Sequence, residues 1–168
     1  IEGHVRKDCL LTSNSSSLSI EEMSKSLKDP SRFAGLHFFN PVNKMPLVEI
    51  IRHEKSSKET VDALLKWVID AKKTPIVEND GPGFLVNRIL APYLNEAGYL
   101  LEEGVSPEDI DEAALNFGMP MGPCRLMDEI GIDVCVKVGK IMHEGLGERA
   151  HPSSLAQKMY DQKLLGKK

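Results

Sequence analysis

Two residues stand where their chemistry does not suit their neighbours. His37 lies inside Leu36-His37-Phe38-Phe39, and Glu49 follows twelve residues on, inside Leu47-Val48-Glu49-Ile50-Ile51. If both stretches are strands, alternation puts His37 on the face of Phe33, Gly35 and Phe39, and Glu49 on the face of Leu47 and Ile51. A carboxylate in an apolar strand is costly unless it is paired. An imidazole on a neighbouring strand is the natural partner, because a carboxylate on one ring nitrogen fixes the tautomer and raises the basicity of the other. That arrangement is a general base with its orienting group. It is equally the arrangement of a core histidine with satisfied hydrogen bonds, and the residues alone leave both readings open.

Three further features invite chemistry. Asn87 shares a helical stripe with Phe84, Leu90, Ala91 and Leu94, so an amide sits on an apolar face. It could donate to a substrate oxygen in a cleft, or repair the backbone near Pro92, which cannot donate to the Arg88 carbonyl. The cluster Ser13-Asn14-Ser15-Ser16-Ser17 follows a strand and opens a helix, where N–H groups and hydroxyls can meet an anion or simply cap the helix. Gly145-Leu146-Gly147-Glu148-Arg149-Ala150 matches G-x-G-x-x-A as a string, but it follows a helix and runs into His151-Pro152, so it is rejected as a dinucleotide loop. His4, His53, His143 and His151 form no H-x-x-x-H or Cys/His pattern, and no metal site is expected.

The elements that would position these groups fall into two sets. Cys9–Thr12, Phe33–Phe39, Leu47–Arg52 and Thr74–Val77 read as short strands, the second cut by the turn signal Asn40-Pro41. Between them lie a short helix over Ile20–Leu27 and a longer one carrying Val61, Leu64, Leu65, Val68 and Ile69. Ser19 with Glu22, and Ser56 with Glu59, are capping-box pairs at their starts. Beyond Asn79-Asp80-Gly81-Pro82-Gly83 no strand candidate remains. Helices are expected over Phe84–Glu103, from Ser106-Pro107 to Phe117, from Pro123 to Gly131, and at about Val134–Glu144 and Ser153–Lys163. The expected fold class is α/β followed by all-α, with residues 1–79 in the first unit and 80–168 in the second.

Composition narrows the function. The 168 residues carry 21 Lys+Arg against 25 Asp+Glu, a net charge of -4. That balance lacks the dense basic face of a nucleic-acid or membrane-surface binder. No stretch approaches the ~20 apolar residues of a membrane-spanning helix. Three cysteines at non-metal spacing, with no secretory signal at Ile1–Leu11, point to reduced thiols in a cytoplasm or an organelle matrix such as a peroxisome or mitochondrion.

Together these segments resemble the L-3-hydroxyacyl-CoA dehydrogenase family, in the form found in multifunctional fatty-acid β-oxidation proteins. The resemblance rests on Ser13-Asn14-Ser15-Ser16-Ser17-Leu18, on Phe33-Ala34-Gly35-Leu36-His37-Phe38-Phe39-Asn40-Pro41-Val42 and on Pro46-Leu47-Val48-Glu49-Ile50-Ile51. It continues through Gly81-Pro82-Gly83-Phe84-Leu85-Val86-Asn87-Arg88 and Pro120-Met121-Gly122-Pro123. It implies the C-terminal part of a Rossmann-type NAD-binding domain, then a helical domain like that of 6-phosphogluconate dehydrogenase. The implied activity is NAD-dependent oxidation of (S)-3-hydroxyacyl-CoA to 3-ketoacyl-CoA.

Carried over by motif, His37 is the general base and Glu49 orients it. Ser16 meets the substrate oxygen and the nicotinamide end of the cofactor, Asn87 binds substrate, and Asn40 and Asn14 contact the cofactor. The residue after Asn14 is serine where the family usually has threonine. The family's G-x-G-x-x-G strand–turn–helix is expected upstream of Ile1, so the chain by itself is expected to bind NAD poorly and to turn over slowly or not at all. The helical domain forms homodimers in simpler members and packs intramolecularly in multifunctional ones. Two rival readings make different demands of the sequence. A non-catalytic, crystallin-like homologue should have lost the base, its partner or the asparagine, and all are intact. A small hydroxy-acid dehydrogenase should carry a lysine on the long helix, which has Asn87-Arg88 instead.

Overall fold

The computed structural model describes residues 1–167 and divides into two compact units, 1–85 and 86–168. The first holds a four-stranded sheet in the order β1-β2-β3-β4, formed by β1 (Leu11–Ser13), β2 (Phe33–Phe38), β3 (Leu47–Arg52) and β4 (Thr74–Asn79). β1 runs parallel to β2 and β4 parallel to β3, whereas β2 and β3 are antiparallel. Two α-helices belong to this unit, α1 (Ile20–Ser24) and α2 (Lys58–Asp70).

Strand alternation gives the sheet two different apolar faces. Ala34, Leu36, Val48 and Ile50 pack with Leu64 and Val68 of α2 on one face. Phe33 and Ile51 pack with Ile20 of α1 and with Phe84 on the other. Gly35 allows the second closure, since a Cβ there would fall 2.9 Å from the Ile51 side chain and 3.0 Å from Ile20 Cδ1.

Several boundaries and caps differ from the sequence expectation. β1 starts two residues later than expected and β4 runs two residues longer. The cap of α2 is Ser57, whose side chain accepts from Thr60 N–H. Ser56 is engaged elsewhere, with its hydroxyl donating to the Phe33 carbonyl at 2.9 Å. At α1, Ser19 does accept from Glu22 N–H, but the Glu22 carboxylate pairs with Lys25. Asp80 supplies the further acceptor, taking Ser19 Oγ–H at 2.7 Å and Glu21 N–H at 2.8 Å.

The second unit is helical: α3 (Val86–Glu102), α4 (Pro107–Phe117), α5 (Pro123–Ile130), α6 (Ile132–Leu146) and α7 (Leu155–Asp161). No helix among the described residues is long and apolar enough to cross a membrane. α3 begins two residues later than expected, because Phe84 adopts a φ of 52° in the preceding turn and is buried in the first unit. The G-x-G-x-x-A string lies on the end of α6 and the 3-10 turn after it, consistent with its rejection.

α5 has no capping side chain of its own, because Gly122 occupies the cap position. Asp111 of α4 substitutes across the helix pair, its two oxygens accepting from Cys124 N–H at 2.8 Å and Arg125 N–H at 3.0 Å. Glycine is required there, since a Cβ at Gly122 would lie 2.2 Å from Asp111 Cγ. Asp111→Ala should therefore cost about 1–2 kcal/mol, the usual loss for a helix cap. Chemical denaturation is the check, and an unchanged midpoint would show that Asp111 does not hold α5.

Candidate active site

His37 and Glu49 face each other directly across the antiparallel β2–β3 ladder. Residues opposed in this way bring their side chains together on one face of the sheet. His37 Nδ1 lies 2.6 Å from Glu49 Oε2. His37 is 6% exposed and Glu49 0%, so the contact is shielded from water. Glu49 Oε1 accepts the backbone N–H of Leu85 at 3.1 Å. The imidazole packs against two rings, with centroids 4.5 Å from Phe39 and 6.0 Å from Phe84.

A second buried histidine, just beyond the end of β3, shows what a purely structural one looks like. His53 Nε2 lies 3.1 Å from both the Pro30 and Phe33 carbonyls, and its Nδ1 accepts from Lys55 N–H. Both ring nitrogens are consumed. His37, by contrast, engages only Nδ1 among the described residues. With an ionised Glu49 taking the Nδ1 proton, the Nε2 lone pair is the one able to accept another.

The serine loop leaves β1 beside the end of β2. Asn14 Oδ1 accepts the Phe38 N–H at 2.9 Å, which ties that loop to the residue after His37. Ser13 and Ser15 turn inward on their own loop, Ser15 Oγ accepting from Leu18 N–H at 2.8 Å. Ser16 and Asn40 are exposed on the loops that follow β1 and β2. In sheets of this kind, loops at the carboxyl ends of parallel strands are where nucleotide cofactors bind. Asn14, Ser16, His37 and Asn40 thus belong to one end of the first unit. Asn87 is half-buried in the first turn of α3, in the helical unit. Its expected stripe loses Phe84, which lies outside the helix.

Sequence reasoning missed Glu78. Ending the strand at Val77 left it out, but β4 continues to Asn79, and the register sets Ile76 opposite Glu49 and Glu78 opposite Ile51. Glu78 therefore shares the sheet face of Glu49. Burial first, and then the charge of Glu49, push its carboxyl up to about 7, against the weaker pull of the Leu85 N–H. A second unforeseen grouping is His143, Glu148 and His151, whose ligand atoms lie within 4.8 Å of one another on the helical unit. Of the cysteines, Cys124 is a poor nucleophile, its thiol pushed up to about 11 by burial and by Asp111.

The comparisons with known proteins converge. Residues 1–81 match the family model described as 3-hydroxyacyl-CoA dehydrogenase, NAD binding domain, and residues 83–168 match its C-terminal domain. The chain is 44% identical over 170 residues to a fatty acid oxidation complex subunit alpha from Psychrobacter cryohalolentis, covering 100% of this chain and 24% of that protein. It is 46% identical over 169 residues to the same subunit from Acinetobacter baylyi, again covering 24% of it. The chain thus spans about a quarter of the length of these relatives.

Among solved structures, an (S)-3-hydroxybutyryl-CoA dehydrogenase from Ralstonia eutropha superposes with a TM-score of 0.94 at 38% identity, over 99% of this chain and 60% of that one. A 3-hydroxybutyryl-CoA dehydrogenase from Escherichia coli gives 0.88 at 42%, over 94% and 34%. With both family domains matched in order across almost every residue, the chain belongs to the 3-hydroxyacyl-CoA dehydrogenase family.

Proposed function

We propose that this chain carries the proton-transfer machinery of an NAD-dependent (S)-3-hydroxyacyl-CoA dehydrogenase working in fatty-acid β-oxidation. The observation that carries the reading is the buried 2.6 Å His37–Glu49 pair, with only one imidazole nitrogen engaged among the described residues. NAD, when bound, supplies the hydride acceptor. The residues that would meet it are Ser16 and Asn40, exposed on the loops after β1 and β2, with Asn14 holding the serine loop against β2.

The chain's own task is to move a proton. Hydride leaves the carbinol carbon only as the hydroxyl proton is removed, so a base must reach that oxygen. His37 Nε2 accepts the proton, and Glu49 stabilises the imidazolium that results. Ser16 Oγ donates to the same oxygen, stabilising charge that develops on it, and the family resemblance gives Asn87 the task of binding substrate. The low polarity around Phe39 and Phe84 strengthens the Glu49–imidazolium attraction by excluding water.

The direct test is oxidation of NADH by the polypeptide that carries this chain, with acetoacetyl-CoA as acceptor. Acetoacetyl-CoA-dependent loss of NADH is expected, with the (S)-3-hydroxy product. Absence of acceptor-dependent turnover by the folded protein would overturn the reading.

A further inference from the structure

On β4, Glu78 presents a carboxyl to a carboxylate. Its Oε1 is buried and receives no donor among the described residues. The side chain within hydrogen-bonding reach is that of Glu49, which an ionised Glu78 could only repel. Two carboxyl groups placed together in partial burial share a single proton rather than both ionising. Glu49 is the member fixed in the charged form, because it accepts from His37 Nδ1 and from the Leu85 N–H. The shared proton therefore resides on Glu78, whose O–H donates to Glu49.

We propose that Glu78 is a positioning residue of the catalytic base, forming a His37–Glu49–Glu78 chain in which its proton sets how much negative charge faces the imidazole. This rests on the base role given to His37 above. Protonated Glu78 draws charge from Glu49 through its O–H bond and weakens the pull of Glu49 on the imidazolium. When Glu78 ionises, its proton passes to solvent, since the residue is only partly buried. A second negative charge then lies on the same sheet face, and His37 holds a proton more firmly.

The charged groups acting on Glu78 are Glu49 from β3 and Asp80 from the turn after β4, with His37 of β2 beyond Glu49. Arg52, at the end of β3, is engaged with Asn79 Oδ1 at 2.7 Å instead. Among the described residues no cation holds Glu78 ionised, and burial with the Glu49 charge pushes its carboxyl up to about 7.

The test is a pH titration of the protein by carbon NMR, with labelled glutamate and histidine. Glu78 should titrate near pH 7, and the His37 ring signals should carry an inflection at the same midpoint. Glu78→Gln, which keeps a donor to Glu49 but cannot ionise, should abolish that inflection while leaving the ring signals folded. Glu49→Gln should lower the Glu78 midpoint, because the neighbouring charge is gone, while burial still holds it above the ordinary glutamate range of about 4.3. In the enzyme assay, Glu78→Gln should remove one ionisation near pH 7 from the turnover profile, a change that a purely structural role would not produce. Titration of Glu78 near 4.3 in the unaltered protein, or a His37 inflection that survives Glu78→Gln, would overturn the proposal. A protein without dehydrogenase activity would defeat the reading of the previous section and leave the NMR outcome to decide this one.

Discussion

Replacing His37 by glutamine should lower turnover by roughly 10²–10⁴-fold, the usual range for loss of a general base, while acyl-CoA affinity stays nearly unchanged. Glutamine fits the slot between Phe39 and Phe84 and can still hydrogen-bond to Glu49, so the sheet is not asked to repack. It cannot take a proton at neutral pH. The loss must then appear in kcat and kcat/KM together, the signature of an interaction made only in the transition state. Single-turnover kinetics with a 3-hydroxyacyl-CoA would place the deficit in the hydride step. A variant within a few-fold of normal turnover would remove His37 from the base position and make it a second core histidine like His53.

The contrast between those two histidines shows what a sequence can and cannot convey. His37 and Glu49 were legible because both sit in strands with strong alternation, joined by a connection short enough to force antiparallel pairing. Their direct opposition follows from register. His53 sits just beyond the end of β3, and its two carbonyl partners come from residues 20 and 23 positions away, a relation that no local pattern encodes.

Glu78 was hidden for a related reason. The strand signal faded at Val77, and only pairing with β3 extends β4 far enough to place that carboxyl on the face of Glu49. Phe84 was assigned to a helix because it continues an apolar stripe. Its burial beside Ile20, Phe33 and Ile51 outweighs that periodicity and holds it in a turn with positive φ. At α2 the choice between Ser56 and Ser57 as cap turned on which hydroxyl the Phe33 carbonyl captures. In each case local propensity was outweighed by a contact with a distant segment.

Glu49→Gln carries the second large effect, and its direction follows from what an amide can accept. Glu49 is wholly buried and, besides the Glu78 O–H proposed above, accepts from His37 Nδ1–H at 2.6 Å and Leu85 N–H at 3.1 Å. A carboxylate can do both, but an amide has one acceptor oxygen. If the glutamine oxygen serves His37, its NH2 group meets the Leu85 N–H, donor against donor. If the oxygen serves Leu85, the NH2 group donates to Nδ1 and drives the imidazole to the tautomer protonated on Nε2, which cannot act as base. The first arrangement sets donor against donor and leaves the Leu85 N–H only its weaker contact with Glu78, at a cost of about 1–3 kcal/mol. The second abolishes the chemistry.

Since the imidazole can tilt while the Leu85 backbone cannot, the second arrangement should prevail, and turnover should fall by roughly 10²–10⁴-fold, as expected when a base is held in the wrong tautomer. The pH profile separates this from simple loss of charge. A base merely deprived of its carboxylate would be easier to deprotonate and would keep its activity on the alkaline side. A base in the wrong tautomer stays impaired across the whole range. A deficit confined to one side of the profile would show that Glu49 acts through its charge alone, and a flat deficit that it acts by choosing which nitrogen of His37 bears the proton.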